Sequence, residues 1–155
     1  MINKIDEYQN GNGTERIKLV DKRYSVLEFK EYGDERGNLV VAEGDGKDIP
    51  FAIKRAFYIY GSDSEVVRGK HANRLTKFVL INVAGSSDIL VDDGTHKEII
   101  KLNKPRMGLF LDTMVWKEMY NFSPDSVLMC LASEHFMEAE YIRDYSEFIR
   151  EVNNK

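Results

Sequence analysis

The sequence has almost no cysteine, since its 155 residues include one, Cys130. A single cysteine cannot form a disulfide within the chain, so the sequence is typical of a protein from a reducing compartment. Cys130 lies in the apolar run VLMCLAS. We therefore expect a buried, unreactive thiol there rather than a nucleophile.

Long apolar runs and an excess of positive charge are missing as well. No segment is long and apolar enough to suggest a membrane span, and MINKIDEYQNGNGTE lacks the apolar core of a signal peptide. The net charge is −4, which gives no general attraction to nucleic acid or to an anionic membrane. Glycine-rich phosphate loops, paired cysteines and G-x-S-x-G elbows are also absent. We expect a soluble, cytoplasmic protein with no nucleic-acid or membrane partner.

A linker that would divide the chain into two domains is missing too. The length corresponds to about one domain. The first residues, which end in NGNGTE, are polar and rich in glycine. We therefore predict a flexible segment over residues 1–15 and one domain over residues 16–150.

Short alternating apolar runs, broken by turn signals, begin near Ile17. The segment YSVLEFKEYGDERGNLVVAEG predicts strand, turn and strand, and PFAIKRAFYIY predicts a longer strand. KFVLINVAGSSDILVDDGTHKEIIKL predicts three strands with a hairpin at DDG. Turn signals at this spacing favour an all-β sandwich or barrel. One terminal helix is predicted from the helical spacing of Tyr141, Ile142, Tyr145, Phe148 and Ile149.

The segment FAIKRAF places a charged residue among apolar ones. Alternate residues of a strand face the same side, so Phe51, Ile53, Arg55 and Phe57 are predicted to share one face. If that face is the interior, Arg55 is buried, which costs several kcal/mol unless the guanidinium is paired. Two partners would offset this cost: a carboxylate such as that of Glu43, or a ligand phosphate bound through two parallel hydrogen bonds.

The segment VRGKHANRL follows the same geometry. One face of this strand carries Val67, Gly69, His71 and Asn73. Arg68 and Lys70 face the other side if the strand is unbroken, although Gly69 is a residue that marks bulges. A lone histidine is more often structural than catalytic. Inward-facing His71 and Asn73 would nevertheless both reach a small molecule bound in the mouth of a barrel.

Metal binding is the competing chemistry for a histidine on such a strand. Small β-barrels that hold iron or zinc commonly use His-x-His, a following Glu and a later His. Here the second position is Asn73, no Glu follows before Phe78, and MVWKEMYN contains no histidine. His96 lies in a hairpin turn, and His135 precedes the terminal helix. Because such metals need imidazole and carboxylate ligands, we predict no metal site and no cofactor.

Five segments together carry a more specific signal: IPFAIKRAFYIY, VVRGKHA, VDDG, GLFLDTMVWKEMYNFSPDSVLMCLASEHF and YIRDYSEF. They resemble the dTDP-sugar 3,4-ketoisomerases, a metal-independent branch of the cupins, from about Asp34 to Phe148. The resemblance implies an all-β cupin jelly-roll barrel with a short C-terminal helix, and a homodimer, commonly with exchanged N-terminal strands.

The resemblance also implies a reaction. The family acts on dTDP-4-keto-6-deoxyglucose and moves its carbonyl group from C4 to C3. The product feeds an aminotransferase that makes 3-amino-3,6-dideoxy sugars for bacterial surface glycans.

Several site residues follow from the matching motifs. Arg55 and Arg68, in the IKR and RG motifs, become candidates for binding the diphosphate, whose charge suits guanidinium groups. Trp116 and Tyr120 fall in the W-x-E-M segment that lines the family's pocket. His71 matches the first of the family's two histidines in H-A-H, and is the expected acid–base residue.

Two positions depart from the family pattern. The second histidine is replaced by Asn73, whose amide cannot act as a base at neutral pH, and a common glutamine is replaced by Phe78. Three explanations stay open. His71 alone shuttles the proton while Asn73 orients the enediol oxygen, another group such as Tyr58 or Lys117 takes the second role, or the chain binds a nucleotide sugar without isomerising it.

Product configuration is a further expectation. Galacto-forming members tend to carry Arg in the early R-G-x-L motif and His after the pocket Trp, whereas gluco-forming members tend to carry Tyr and Arg. Arg36 agrees with the galacto type and Lys117 with neither, so we expect a 3-keto-6-deoxygalactose product. Two other functions stay open: a nucleotide-sugar-binding module in which His71 is structural, and a 3,5-epimerase of the same substrate.

Overall fold

Two antiparallel β-sheets form the body of the protein. The computed structural model describes the backbone of residues 3–9 and 15–154 and the side chains of residues 21–154. Its strands are β1 (Asn3–Gln9), β2 (Glu15–Val20), β3 (Tyr24–Glu28), β4 (Glu31–Asp34), β5 (Gly37–Val40), β6 (Arg55–Tyr60), β7 (Arg68–Asn73), β8 (Phe78–Ala84), β9 (Ser87–Asp92), β10 (Lys97–Leu102), β11 (Met107–Leu111), β12 (Trp116–Tyr120), β13 (Val127–Ala132) and β14 (Tyr141–Ile142). A 3-10 helix (Glu138–Glu140) precedes β14, and one α-helix, α1 (Tyr145–Asn153), follows it.

The order of the strands is that of a jelly roll. One five-stranded sheet has the order β10-β9-β12-β7-β14, and the other has the order β3-β11-β8-β13-β6. Neighbours in each sheet are distant in the sequence, so the chain crosses repeatedly between the two sheets, as double-sheet jelly rolls do. The predicted all-β jelly roll with a short C-terminal helix is confirmed, as are the three strands β8–β10 and the DDG hairpin.

Apolar side chains fill the space between the sheets and cover both outer faces. Strand β8 shows this best, because its residues alternate between two apolar clusters. Phe78 and Leu80 belong to the central core, whereas Val79 and Ile81 pack beneath Phe51 on the outer face. A strand buried on both faces has a continuous apolar run in its sequence, and FVLI, residues 78–81, is such a run.

Helix α1 covers the outer face of the other sheet. Its Phe148 is fully buried against Trp116 and Ile142. The helix begins at Tyr145 because the Asp144 side chain accepts a hydrogen bond from the Glu147 amide, which is an N-terminal cap. Within the described residues, no helix is long and apolar enough to cross a membrane.

Two hairpins stand outside the two large sheets. Among the described residues, β1 pairs only with β2, and β4 pairs only with β5. The predicted flexible segment over residues 1–15 includes residues 1, 2 and 10–14, which lie outside the described part of the chain. That segment, and the domain predicted over residues 16–150, stay predictions.

Two element boundaries predicted from the sequence are wrong. Strand β6 begins only at Arg55, so Phe51 and Ile53 do not extend its inner face. The chain before β6 instead closes a turn in which the Asp45 amide donates to the Phe51 carbonyl at 2.9 Å. The terminal helix is shorter than its apolar spacing suggests, because Tyr141 and Ile142 form strand β14 and pair with β7.

Candidate active site

A cavity of about 220 Å³ lies between the two sheets. One wall comes from β7 and β12, and the opposite wall from β6, β8 and β13. Its polar lining residues are Tyr58, Arg68, His71, Lys117 and Tyr141, and its apolar lining includes Phe57, Phe78 and Cys130. The structure therefore brings together four of the residues predicted for the site.

A β-bulge at Gly69 and Lys70 determines which side chains of β7 reach this cavity. Both residues have positive φ, +87° and 58°, and the register of β12 shifts opposite them, between Lys117 and Glu118. The extra residue turns Arg68 toward the same side as His71, so both line the cavity. The prediction of an unbroken strand, in which Arg68 faces away from His71, is wrong. The alternative, a bulge at Gly69, is confirmed.

His71 lies largely buried in the wall of the cavity. The Tyr141 ring packs against it in a T-shaped arrangement, with 4.9 Å between ring centroids and 66° between ring planes. The His71 Nδ1 atom is buried without a hydrogen-bond partner. Burial, helped by the charge of Lys117, lowers the pKa of His71 to about 4. The imidazole is therefore neutral at pH 7, the form in which it accepts a proton.

Lys117 lies directly opposite His71 on the neighbouring strand. Its side chain is 3% exposed, and its Nζ donates a hydrogen bond to Asn73 Oδ1 at 2.9 Å. The ammonium also lies 4.8 Å from the centroid of the Phe78 ring. Burial lowers the pKa of Lys117 to about 7, although Glu140 and Cys130 act in the opposite direction.

Glu140 is the carboxylate whose charge acts on Lys117. It accepts hydrogen bonds from the amides of Leu75 and Thr76, at 3.1 and 3.0 Å, and from the Thr76 hydroxyl. Burial raises the pKa of Glu140, but these hydrogen bonds outweigh it and the pKa is lowered. Asn73 interacts with both charges: its Oδ1 accepts from Lys117, and its side chain helps to lower the pKa of Glu140. Its Nδ2 atom is buried and has no hydrogen-bond partner.

Arg55 lies behind the aromatic wall of the cavity. Its guanidinium is 5.4 to 6.0 Å from the ring centroids of Phe57, Phe78 and Phe136. Its Nε and Nη2 atoms are buried and have no hydrogen-bond partner. In the part of the chain whose side chains are described, Arg55 has no ion pair with Glu43, so the internal salt bridge left open by the sequence is wrong. Arg55 as a whole is half-buried, and two of its N–H groups are buried without an acceptor.

Comparison with known proteins decides the family. The FdtA family model, described as WxcM-like, C-terminal, matches residues 22–153. A curated TDP-4-oxo-6-deoxy-alpha-D-glucose-3,4-oxoisomerase from Aneurinibacillus thermoaerophilus is 43% identical over 123 residues, which cover 79% of this chain and 88% of that protein. The chain belongs to the FdtA family of 3,4-ketoisomerases. It is an isomerase with the cupin fold.

Solved structures of this family include two ketoisomerases from Campylobacter jejuni to which the chain is similar. One is WlaRA, a TDP-fucose-3,4-ketoisomerase, with a TM-score of 0.80 and 42% identity over 86% of this chain and 98% of that one. The other is WlaRB, a TDP-quinovose 3,4-ketoisomerase, with a TM-score of 0.79 and 42% identity over 83% of this chain and 98% of that one. The two carry different sugar names and match this ketoisomerase equally well.

Three residues predicted for substrate binding lie away from the cavity. Trp116 and Tyr120 alternate with Lys117 along β12, so they face the outer side of the sheet. Trp116 packs against Tyr145 and Phe148 of α1 and donates from Nε1 to Glu118 Oε2 at 2.9 Å. The expectation that these two residues line the pocket is therefore wrong for the cavity of this chain.

Arg36 is the third of these residues. It lies at the tip of the β4–β5 hairpin, where its side chain is 85% exposed and pairs with Asp34. Within the described residues, it makes no contact with the cavity of its own chain.

The histidines other than His71 also lie elsewhere. His96 Nδ1 lies 3.1 Å from Asp93 Oδ2 in the β9–β10 turn. Over residues 21–154, no group of three or more His, Cys, Asp and Glu side chains is placed so that it could hold a metal ion.

Tyr141 is a polar cavity residue that the sequence analysis missed. It pairs with Asn73 through β14, and its ring contacts His71. Its aromatic spacing with Tyr145 suggested a helix instead. A capping pattern in the sequence, Asp144-x-x-Glu147, could have corrected this prediction. It indicates that the helix begins after Asp144, so that Tyr141 lies before the helix and can belong to a strand.

Proposed function

We propose that this ketoisomerase converts dTDP-4-keto-6-deoxyglucose to a dTDP-3-keto-6-deoxyhexose, with His71 as the base that acts on C3. The observation that carries the proposal is a neutral, buried imidazole in the wall of a cavity, directly opposite a buried lysine. A base and a cation side by side are what proton abstraction next to a ketone needs.

The carbon chemistry requires one group. The C4 ketone acidifies the C3 proton, and neutral His71 removes it to leave an enediolate. The imidazolium then returns the proton to C4, while the oxygen on C3 becomes the new carbonyl. C3 loses one hydrogen and C4 gains one, so the step needs no oxidant or reductant. The imidazolium exchanges its proton with solvent between the two transfers, so in D2O the hydrogen returned to carbon is deuterium.

The size of the cavity supports a binding mode in which only part of the substrate lies inside it. At about 220 Å³, it is smaller than the roughly 300–1,000 Å³ of pockets that enclose a drug-sized ligand. We propose that it takes the keto-sugar, and that dTDP lies at the mouth. Arg68 and the unpartnered N–H groups of Arg55 would bind the diphosphate, and the exposed ring of Tyr58 would contact the nucleotide.

We further propose a homodimer with exchanged strands. Two observations support it: among the described residues β1 and β2 pair only with each other, and the β4–β5 hairpin holds Arg36 away from the cavity of its own chain. A second copy would place Arg36 at the neighbouring cavity. On the identity of Arg36 we propose the 3-keto-6-deoxygalactose product.

The position of the carbonyl in the product also suggests its use. A C3 ketone is the substrate that an aminotransferase needs to make a 3-amino-3,6-dideoxy sugar, and we propose bacterial surface glycans as the destination. The free thiol of Cys130 is consistent with a reaction in the cytoplasm.

The test is an NMR time course with dTDP-4-keto-6-deoxyglucose in D2O. The proposal predicts deuterium at C3 and C4 and a product that an added 3-aminotransferase consumes. Deuterium at C3 and C5 would show a 3,5-epimerase instead. No exchange at saturating substrate would show a binding module and contradict the enzymatic proposal.

A further inference from the structure

The isomerisation moves two protons, and His71 accounts for only one of them. Besides the hydrogen that passes from C3 to C4, the hydroxyl proton on O3 must leave and O4 must gain one. The oxygen atoms lie on neighbouring carbons, beside the atoms on which His71 acts. The second group must therefore be adjacent to His71 and able both to donate and to accept a proton.

Few cavity side chains meet these requirements. Cys130 is fully buried, and burial raises the pKa of its thiol to about 12, so it is a poor acid–base group at neutral pH. Tyr58 belongs to the opposite sheet and is 64% exposed. Tyr141 contacts the His71 ring, but it is only half-buried and lies on the edge strand β14, where its strand partner is Asn73 rather than His71. Asn73 carries an amide, which does not titrate. Lys117 is buried, lines the cavity and is the register partner of His71.

We propose that Lys117 is the second acid–base residue of this enzyme and carries the proton from O3 to O4, held in place by Asn73. The proposal rests on the proposed function and names the group that works beside His71.

The steps balance as follows. The Lys117 ammonium donates a proton to O4 while neutral His71 takes the proton from C3, which gives a neutral enediol. The neutral amine of Lys117 then accepts the O3 proton while the His71 imidazolium protonates C4. Both side chains end in their starting forms, and the carbonyl has moved from C4 to C3.

Asn73 is a positioning residue in this scheme. Its Oδ1 accepts one N–H of Lys117 at 2.9 Å, which fixes the direction of the ammonium and leaves two N–H groups for the substrate. Unlike an aspartate, the neutral amide holds the lysine without adding a charge that would keep it protonated. The Glu140 carboxylate accepts hydrogen bonds from the amides of Leu75 and Thr76.

The electrostatics of the cavity agree with this geometry. With a pKa of about 7, Lys117 exists in both protonation states near neutral pH. The titratable and charged groups around it are His71 and Arg68 on β7, Cys130 on β13, Arg55 on β6 and Glu140 in the 3-10 helix. The active form of the free enzyme carries neutral His71 and protonated Lys117, so kcat/KM should fall as pH rises above about 7.

The experiment compares the full-length wild type with Lys117→Met and Lys117→Arg, using dTDP-4-keto-6-deoxyglucose as substrate. Methionine keeps the shape and removes the proton. Arginine keeps the positive charge but cannot release a proton. We expect each variant to lower kcat about 100-fold or more, with a smaller change in KM. Exposed Lys104→Met is the matched control and should keep the wild-type rate.

Asn73→Asp supplies a readout that a purely structural lysine would not give. A carboxylate at this position favours the ammonium form of Lys117 and raises its pKa. The falling limb of the kcat/KM profile should therefore move to higher pH, by about one unit.

The outcomes separate the two proposals. If the wild type exchanges no hydrogen at C3 and C4, the proposed function fails. If the wild type is active and folded Lys117→Met or Lys117→Arg keeps kcat within about threefold, the proposed role of Lys117 is overturned, because a general acid–base group contributes more than that. The proposed role of Lys117 is also overturned if the falling limb of the kcat/KM profile lies at the same pH in Asn73→Asp as in the wild type.

Discussion

Lys117 Nζ lies 2.9 Å from Asn73 Oδ1, in a part of the cavity wall from which water is largely excluded. An isolated ammonium is costly to bury, and here one amide oxygen and a nearby carboxylate offset part of that cost. The remainder appears as the lowered pKa of Lys117. A buried amine that releases its proton near neutral pH has consequences for stability as well as for catalysis.

The first prediction concerns the pH dependence of stability. Above pH 7 the folded protein loses the Lys117 proton, whereas the unfolded chain keeps it up to the ordinary value of 10.5. The unfolded state then binds more protons, so the free energy of unfolding rises with pH. Relative to Lys117→Met, the wild type should gain about 1–2 kcal/mol between pH 7 and pH 8.5. Urea unfolding at the two pH values measures it, and parallel curves for the two proteins would contradict the lowered pKa.

The second prediction concerns the bulge in β7. Gly69 has φ +87°, and a Cβ there would lie 2.9 Å from the Lys117 carbonyl oxygen. Gly61 is the matched control, because it has φ +70° with nothing within 4 Å of its Cβ. Both alanine variants carry the backbone strain of about 1–2 kcal/mol. Gly69→Ala should lose about 1 kcal/mol more in urea unfolding and should also lose activity. Equal losses in the two variants would show that the close approach is unimportant.

The third prediction concerns Arg55. Replacing it by methionine removes two unpartnered N–H groups, so the free energy of unfolding should not fall. The affinity for dTDP, measured by calorimetry, should fall about 10- to 100-fold, the value of one or two charge-assisted hydrogen bonds. Arg106→Met, which removes exposed ion pairs with Glu28 and Glu31, is the control and should bind normally. Unchanged affinity in Arg55→Met would exclude it from the diphosphate site.

The fourth prediction tests whether Arg36 acts on a second copy of the chain. Arg36→Ala should lower kcat/KM about 10- to 100-fold, the worth of a charge-assisted hydrogen bond. Mixing and refolding it with inactive His71→Asn should restore activity, because one cavity of each mixed dimer then has both native side chains. If mixed dimers form and stay as inactive as their parents, Arg36 does not reach a neighbouring cavity.

The sequence predicted the sheets well because strand alternation and turn residues are local signals. Residues 78–102 show this, since their apolar runs and the DDG turn define three strands without reference to the rest of the chain. The wrong boundaries have non-local causes. Tyr141 is a strand residue because β7 lies beside it, and the hydrogen bonds between the two strands are not visible in the periodicity of one segment.

Only part of the candidate site was predicted correctly, because the site also depends on contacts between strands that are distant in the sequence. His71 and Lys117 come together through the pairing of β7 with β12, which family motifs indicate but spacing alone does not. The motif around Trp116 was assigned to the pocket as a whole. The alternation of the strand sends Lys117 inward and Trp116 outward against α1. The lowered pKa of Lys117 depends on complete burial, which only the packed structure shows.

The most direct test of the account follows the carbonyl carbon itself. With dTDP-4-keto-6-deoxyglucose labelled with 13C at C4, the wild type should convert the labelled ketone signal to that of a hydroxyl-bearing carbon, as the carbonyl moves to C3. His71→Asn should fold normally and slow this conversion about 100-fold or more. A labelled carbon that stays a ketone in the presence of the wild type, or one that is converted equally fast by His71→Asn, would contradict the assignment of His71 as the base of a 3,4-ketoisomerase.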